Sequence, residues 1–248
     1  MKAYLILEDG TTYVGTAIGE CKEVLSEIVF QTAMTGYQEV LSDPSYAGQA
    51  IVMTYPLIGN YGVSHIDMES RKPWADAFLV RELAREPSSW RRDNTLENFL
   101  KEYHIPGIAG LDTRSLTKHL RRNGTMNGCI TTKHYEGFEK KDLLERIRAY
   151  RICDVVQRVS VKEPVFYPSG SRNGKKVALI DLGTKSADAQ SVFIRQILRR
   201  MKSLQPDRTG SCCQTVPGTR RKIQVSSERS GNFTSLIFRF LRSVSVIS

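Results

Sequence analysis

At 248 residues, 40% apolar and 25% charged, the chain is long enough for one large domain or two smaller ones, and its composition excludes a low-complexity or fibrous protein. No apolar run reaches the length of a membrane span, the opening MKAYLILEDG is too short and too soon acidic for a secretory signal, and five cysteines without metal-ligand spacing predict free thiols in a reducing cytoplasm. The formal charge of +10 is uneven: residues 186–248 hold 11 Lys and Arg against 3 Asp and Glu, so they carry +8 and leave +2 for everything before them.

In chain order, residues 3–7 predict a strand, and Glu8-Asp9-Gly10 a tight turn into a second strand over 12–17. The β-rich EIVFQT at 27–32 runs into a polar, glycine-containing loop, and AIVMTY at 50–55 forms the next strand, stopped by Pro56 and the turn Gly59-Asn60-Tyr61-Gly62. Residues 77–81 predict a strand of mixed exposure. Thr95 caps a helix over 96–103 with Leu96, Phe99, Leu100 and Tyr103 on one face, and residues 105–109 return as a short apolar strand. Asp112 caps a second helix over 113–122, Asn123-Gly124 ends it, and a strand follows over 127–132. A third helix is expected at 142–150. The Pro- and Gly-rich stretch 162–175 reads as a linker, and 176–181 as a continuous apolar strand of the kind that is buried in a parallel sheet.

Residues 34–62, MTGYQEVLSDPSYAGQAIVMTYPLIGNYG, pack four glycines, two prolines and four tyrosines into one loop system. Taken alone, Asp43-Pro44-Ser45 is explained by a local turn, with the Asp and Ser side chains bonding the nearby backbone. The longer pattern says more. TGYQE, DPSY, TYP and GNYG, in this order and spacing, with LEDG near the start, GIAGLDTRSLTKHLRRNGTMNGCI at 107–130 and VALIDLGTK at 177–185, resemble the carbamoyl-phosphate synthase small subunit over nearly all of residues 1–185.

The resemblance implies an α+β chain: a β-rich mixed domain with a few helices over 1–150, a linker over 151–175, and at 176–185 the first strand of a truncated α/β class I glutamine amidotransferase domain. It also implies a function. In that family the small subunit hydrolyses glutamine with a Cys-His-Glu centre in its second domain and passes ammonia to a large subunit. The large subunit uses ATP and Mg to make carbamoyl phosphate for arginine and pyrimidine synthesis. From the first domain, the Ser of DPSY is a glutamine-binding residue of the family, which carries over to Ser45. The expected partners are the large subunit and glutamine, in the cytoplasm; this chain is expected to hold no cofactor and no metal of its own.

The glutaminase chemistry needs a thiolate on a strand-to-helix elbow, oxyanion donors and a histidine. No cysteine here has that setting. Cys21 and Cys129 read as small packing residues, Cys153 lies near the linker, and Cys212-Cys213 lacks a preceding strand. His119 falls on a helix and His65, His104 and His134 in loops, where capping and surface roles are expected. No catalytic residue is therefore assigned.

Residues 186–248 gain meaning when their codons are shifted by one base. TGSCCQTVPGTRRKIQ at 209–224 is then compatible with DGIVLSNGPGDPKENT, and LRSVSVIS at 241–248 with FAICLGHQ; both strings resemble the family's glutaminase domain. Residues 186–196 recode in the same way as KRGCAVCIHPA. The tail thus reads as an out-of-frame translation, expected to be largely disordered, and the strand at 176–181 as an apolar edge without neighbours. The rival readings are a non-catalytic module that docks on the large subunit and a basic nucleic-acid binder acting through the tail. The tail has no aromatic stacking platform for a nucleic acid, and an out-of-frame sequence produces apolar patches such as Phe233 to Phe240 by accident, so neither a nucleic-acid nor a membrane partner is expected.

Overall fold

The computed structural model describes residues 1–163, 179–185 and 213–215. Alternation at the amino terminus becomes β1 (Lys2–Leu7) and β2 (Thr12–Gly19), an antiparallel hairpin across the Glu8-Asp9-Gly10 turn, followed by β3 (Val24–Gln31). The loop expected after β3 contains a short helix, α1 (Tyr37–Ser42), and a 3-10 turn at Pro44–Tyr46 before β4 (Gln49–Met53). The next strands are β5 (Leu57–Ile58), β6 (Ala77–Leu79) and β7 (Glu82–Leu83). The expected helices and strands then appear in turn as α2 (Leu96–Glu102), β8 (Pro106–Ala109), α3 (Thr113–Asn123), β9 (Met126–Thr131) and α4 (Gly137–Ala149), with a short α5 (Val155–Val159) after them. Both helix caps form as the sequence indicates: Thr95 Oγ1 accepts from Asn98 N at 3.3 Å and Asp112 Oδ1 from Ser115 N at 3.0 Å.

Seven of these strands close into a barrel in the order β1-β2-β8-β6-β4-β3-β9. The ladders β3–β4, β4–β6 and β6–β8 are parallel and the other four antiparallel. Closure places Ala3, Leu5, Leu7, Ile28, Ala50, Val52, Ala77, Leu79, Ile108 and Ile130 in one buried cluster, to which α3 adds Leu116 and Leu120. Residues from every side of the ring meet there, so this cluster is the barrel interior, and α3 lies over it. The alternate residues of β4 and β6, Ile51, Met53 and Phe78, face outward and are covered by Tyr37 and Leu41 of α1 and by Leu96, Phe99 and Leu100 of α2. On another flank, Leu143 and Ile147 of α4 cover Ile6 and Cys129. Close packing leaves no room for a side chain at Gly107: a Cβ there would stand 2.6 Å from Phe78 O on the neighbouring strand.

Three sequence expectations need correction. Residues 77–81 do not alternate in exposure: 77–80 are completely buried, because β6 has a parallel neighbour on each side and cover on both faces, and exposure begins at Arg81, beyond the strand's end. Cys21 is exposed rather than a packing residue, since it lies beyond the end of β2 on the connection to β3. The strand at 176–181, described as β10 (Leu179–Asp181), is not without a neighbour: it pairs in parallel with β11 (Cys213–Thr215). The expectations for the linker beyond residue 163 and for the rest of 186–248 lie outside the described residues. Among the described residues no helix is long and apolar enough to cross a membrane.

Candidate functional site

The TGYQE and GNYG segments interlock. Gly36, in the left-handed region at φ 82, turns the chain into α1, and its N–H and that of Tyr37 donate to Tyr61 Oη at 2.7 and 3.1 Å. The Tyr37 and Tyr61 rings stack with centroids 4.2 Å apart, and Tyr37 Oη donates to Gly62 O at 2.6 Å. Burial raises both phenols above their ordinary value, Tyr37 the further, so each remains a neutral hydrogen-bonding group. Gln38 completes the lock: its Oε1 accepts from Ser64 N at 2.8 Å and its Nε2 donates to Ser64 O. At the far end of α1, Ser42 Oγ donates to Gln38 O and accepts from Glu69 N, both at 2.9 Å, while Ser70 Oγ donates to Ser42 O at 2.6 Å.

This rigid base carries the DPSY turn. Asp43 leaves α1 in an extended conformation, φ −74 and ψ 119, and caps the next turn through Oδ1, which accepts from Ser45 N at 2.9 Å. Pro44 lacks an N–H and fixes its own φ, and Tyr46 N and Ala47 N bond back to Asp43 O and Pro44 O. Tyr46 Oη accepts from Gln31 Nε2 at 3.0 Å, anchoring the turn to β3. The result is a buried Asp43 and Pro44 beneath an exposed Ser45. Its hydroxyl has no hydrogen-bond partner among the described residues and no histidine beside it, which suits it to receive a ligand's polar group and gives nothing to make it a nucleophile.

The loop after β10 reaches the same turn. Asp181 Oδ1 accepts from Gly183 N at 2.8 Å and Thr184 N at 2.7 Å, and Gly183 takes φ 106, a value that side chains rarely adopt. The loop so formed sets Lys185 Nζ 2.6 Å from Asp43 Oδ2. Asp43 therefore touches Ser45 with one oxygen and Lys185 with the other. Sequence reasoning singled out Ser45 and the DLGTK segment separately; their meeting had no local signal. Glu39 Oε2 on α1 and Thr184 Oγ1 are both buried without a hydrogen-bond partner among the described residues.

The remaining candidates stay apart from this turn. Cys129 is buried between β9 and α4, and desolvation pushes its thiol up to about 12, which leaves it inert. Exposed Cys153 bonds Arg151 O through its thiol at 3.5 Å. His119, within α3, bridges to Asp9 of the β1–β2 turn at 2.7 Å, His104, just after α2, to Glu20 just after β2 at 2.9 Å, and His134 lies 3.4 Å from Glu136. No group of three metal-ligating side chains occurs among the described residues.

The barrel has the extent of a known domain: residues 5–130 match the model of the carbamoyl-phosphate synthase small chain, CPSase domain. The chain belongs to the carbamoyl-phosphate synthase small chain family. It is 49% identical over 187 residues to the carbamoyl phosphate synthase small chain of Listeria monocytogenes serotype 4b (strain F2365), covering 75% of this chain and 50% of that one. It is also 48% identical over 185 residues to the small chains of Bacillus caldolyticus and Clostridium perfringens (strain 13 / Type A), covering 75% of this chain and 50% and 51% of theirs. The chain thus spans about half the length of the curated relatives it matches. The 185 residues aligned with the last two relatives equal in number the stretch before the basic tail, which ends at Lys185.

Proposed function

We propose that this chain serves as the amino-terminal, large-subunit-docking part of a glutamine-dependent carbamoyl phosphate synthase, contributing Ser45 as a contact for glutamine but no glutaminase centre of its own. The observation that carries this reading is the coincidence of the family domain, residues 5–130, with a closed barrel that runs from Lys2 to Thr131. A unit with its own interior and no free edge keeps its surface whatever follows it, so docking is the part of the family's work best supported here. Ser45 stands exposed on a turn held from below, in keeping with a hydroxyl that meets the polar head of an amino acid.

Hydrolysis of glutamine would require a nucleophilic thiol beside a histidine. Cys129 is buried and held protonated, and neither Cys21 nor Cys153 has a histidine partner among the described residues. In this reading, residues 186–248 are an out-of-frame counterpart of the glutaminase domain, supported by the change of charge after Lys185 and by the recoded strings above. ATP and Mg act on the large subunit, in the cytoplasm, and this chain needs neither.

The test is reconstitution of the full chain with a large subunit. The expected result is co-elution of the two proteins, carbamoyl phosphate formed from added ammonia, and none from glutamine. Glutamine-dependent product would overturn the loss of glutaminase activity, and failure to co-elute would overturn docking. Reading the source nucleotide sequence through the Lys185 codon checks the frame: codons that forbid the shifted strings end that part of the proposal.

A further inference from the structure

The Asp43 carboxylate sits where two parts of the chain meet. Its side chain is only 11% exposed, so its charge has lost most of its hydration and needs compensation from the protein. Both oxygens are occupied, and by different segments: Oδ1 by the N–H of Ser45 at 2.9 Å, Oδ2 by the ammonium of Lys185 at 2.6 Å. A carboxylate held at both oxygens cannot rotate freely. The turn it caps is stiff as well, with Pro44 fixed in φ and Tyr46 tied to Gln31, so any displacement of Asp43 tilts the peptide that carries Ser45. On the other side, Asp181 pre-forms the loop that delivers Lys185 by bonding Gly183 N and Thr184 N.

We propose that Asp43 is a positioning residue whose two oxygens lock the Ser45 turn to the loop after β10. The Ser45 hydroxyl is then held in its binding orientation only while Lys185 is seated. The inference rests on the reading of Ser45 as a glutamine contact for its purpose, though not for its geometry. It makes the glutamine-facing turn of the barrel dependent on a residue of the next segment, which brings one charge and no substrate atom.

Trypsin provides the test on the full chain, because cleavage after Lys185 requires its ammonium to leave Asp43. Asp43→Asn keeps an oxygen for Ser45 N but removes the charge. Cleavage at Lys185 is expected to quicken by about threefold or more, the equivalent of one partly exposed ion pair. Cleavage at exposed Lys101 on α2 should not change, and Asp43→Glu should restore protection. Unchanged cleavage at Lys185, or equal quickening at Lys101, overturns the proposal. The second arm approaches from the other partner and uses a half-buried residue that lies outside the barrel strands. In Lys185→Gln the Ser45 amide should exchange hydrogen faster than in wild type, and in Lys185→Arg at the wild-type rate. An unchanged Ser45 amide in Lys185→Gln also overturns the proposal. Adding L-glutamine to the wild-type chain separates the two readings. Slower Ser45 exchange supports both. No response to glutamine, with the variant effects intact, removes the substrate role of Ser45 and leaves the lock standing.

Discussion

The parallel ladders of the barrel and the ladder between β10 and β11 use the same backbone bonds in different surroundings. In the barrel, β4 and β6 each have a partner on both sides, with Ala50, Val52, Ala77 and Leu79 packed inward and Ile51, Met53 and Phe78 packed beneath α1 and α2. β10 has one three-residue partner among the described strands and one ion pair reaching from its loop to Asp43. Apolar sequence alone does not make a parallel strand stable; neighbours and cover on both faces do. The barrel is therefore where stability resides, and the β10 loop is an attachment to it.

That contrast can be broken most forcefully at Phe78, which is completely buried. Phe78→Ala is expected to cost about 3–5 kcal/mol of unfolding free energy, measured by urea denaturation of the full chain. A loss under about 1 kcal/mol would mean that the outer layer of α1 and α2 does not support the sheet. Next comes Gly107→Ala, which drives a Cβ toward Phe78 O and should cost about 1–3 kcal/mol by forcing β8 and β6 apart.

A smaller, pH-dependent effect is expected at the β1–β2 turn. Burial raises the Asp9 carboxyl, but hydrogen bonds from Thr11 N, Thr11 Oγ1 and His119 outweigh it and hold the group below its ordinary value. A carboxyl depressed in the folded state adds stability that is present above its unfolded value, near 3.9, and that is lost as pH falls through the lower folded one. Asp9→Asn should lower stability at neutral pH, where the carboxylate contributes it, and so flatten the acid limb of a stability–pH curve below about pH 4, the two curves converging in acid. An unaltered acid limb would assign the acid sensitivity to other groups. Asp76 opposes this effect: burial raises its carboxyl more than Arg158 lowers it, so its contribution weakens as pH rises through the folded value.

The smallest effect marks the other side of the comparison. Lys185→Gln should change the unfolding free energy of the barrel by less than about 1 kcal/mol, because the pair is partly exposed on the lysine side. A larger loss would make the loop part of the barrel's own stability.

Much of this was legible in the sequence where the cause is local. Thr95 and Asp112 cap their helices through side chains three residues from the amide they bond, and Leu116 and Leu120 show their buried face by spacing alone. Ring closure was not legible, because it depends on Leu5 meeting Ile130, and no local pattern specifies that partner. The burial of β6 was misread for the same reason. α1 was read as a loop because Gly36 and the polar YQE disguise it, and its start is satisfied by Tyr61 rather than by a capping side chain nearby. At the candidate site the family pattern pointed to Ser45, while the Lys185 contact joins residues too distant in sequence for any period to connect.

Barrel closure also sets an order on synthesis. β1 is first to leave the ribosome, yet its second neighbour, β9, ends at Thr131, so the ring stays open until nearly all of the matched domain has emerged. From that moment every strand of the ring has both neighbours, and nothing encoded later is needed to complete it. A ribosome that reads the downstream message in one frame or another would release the same finished barrel. Quality control that senses unpaired strands would have no reason to distinguish the two products by this half.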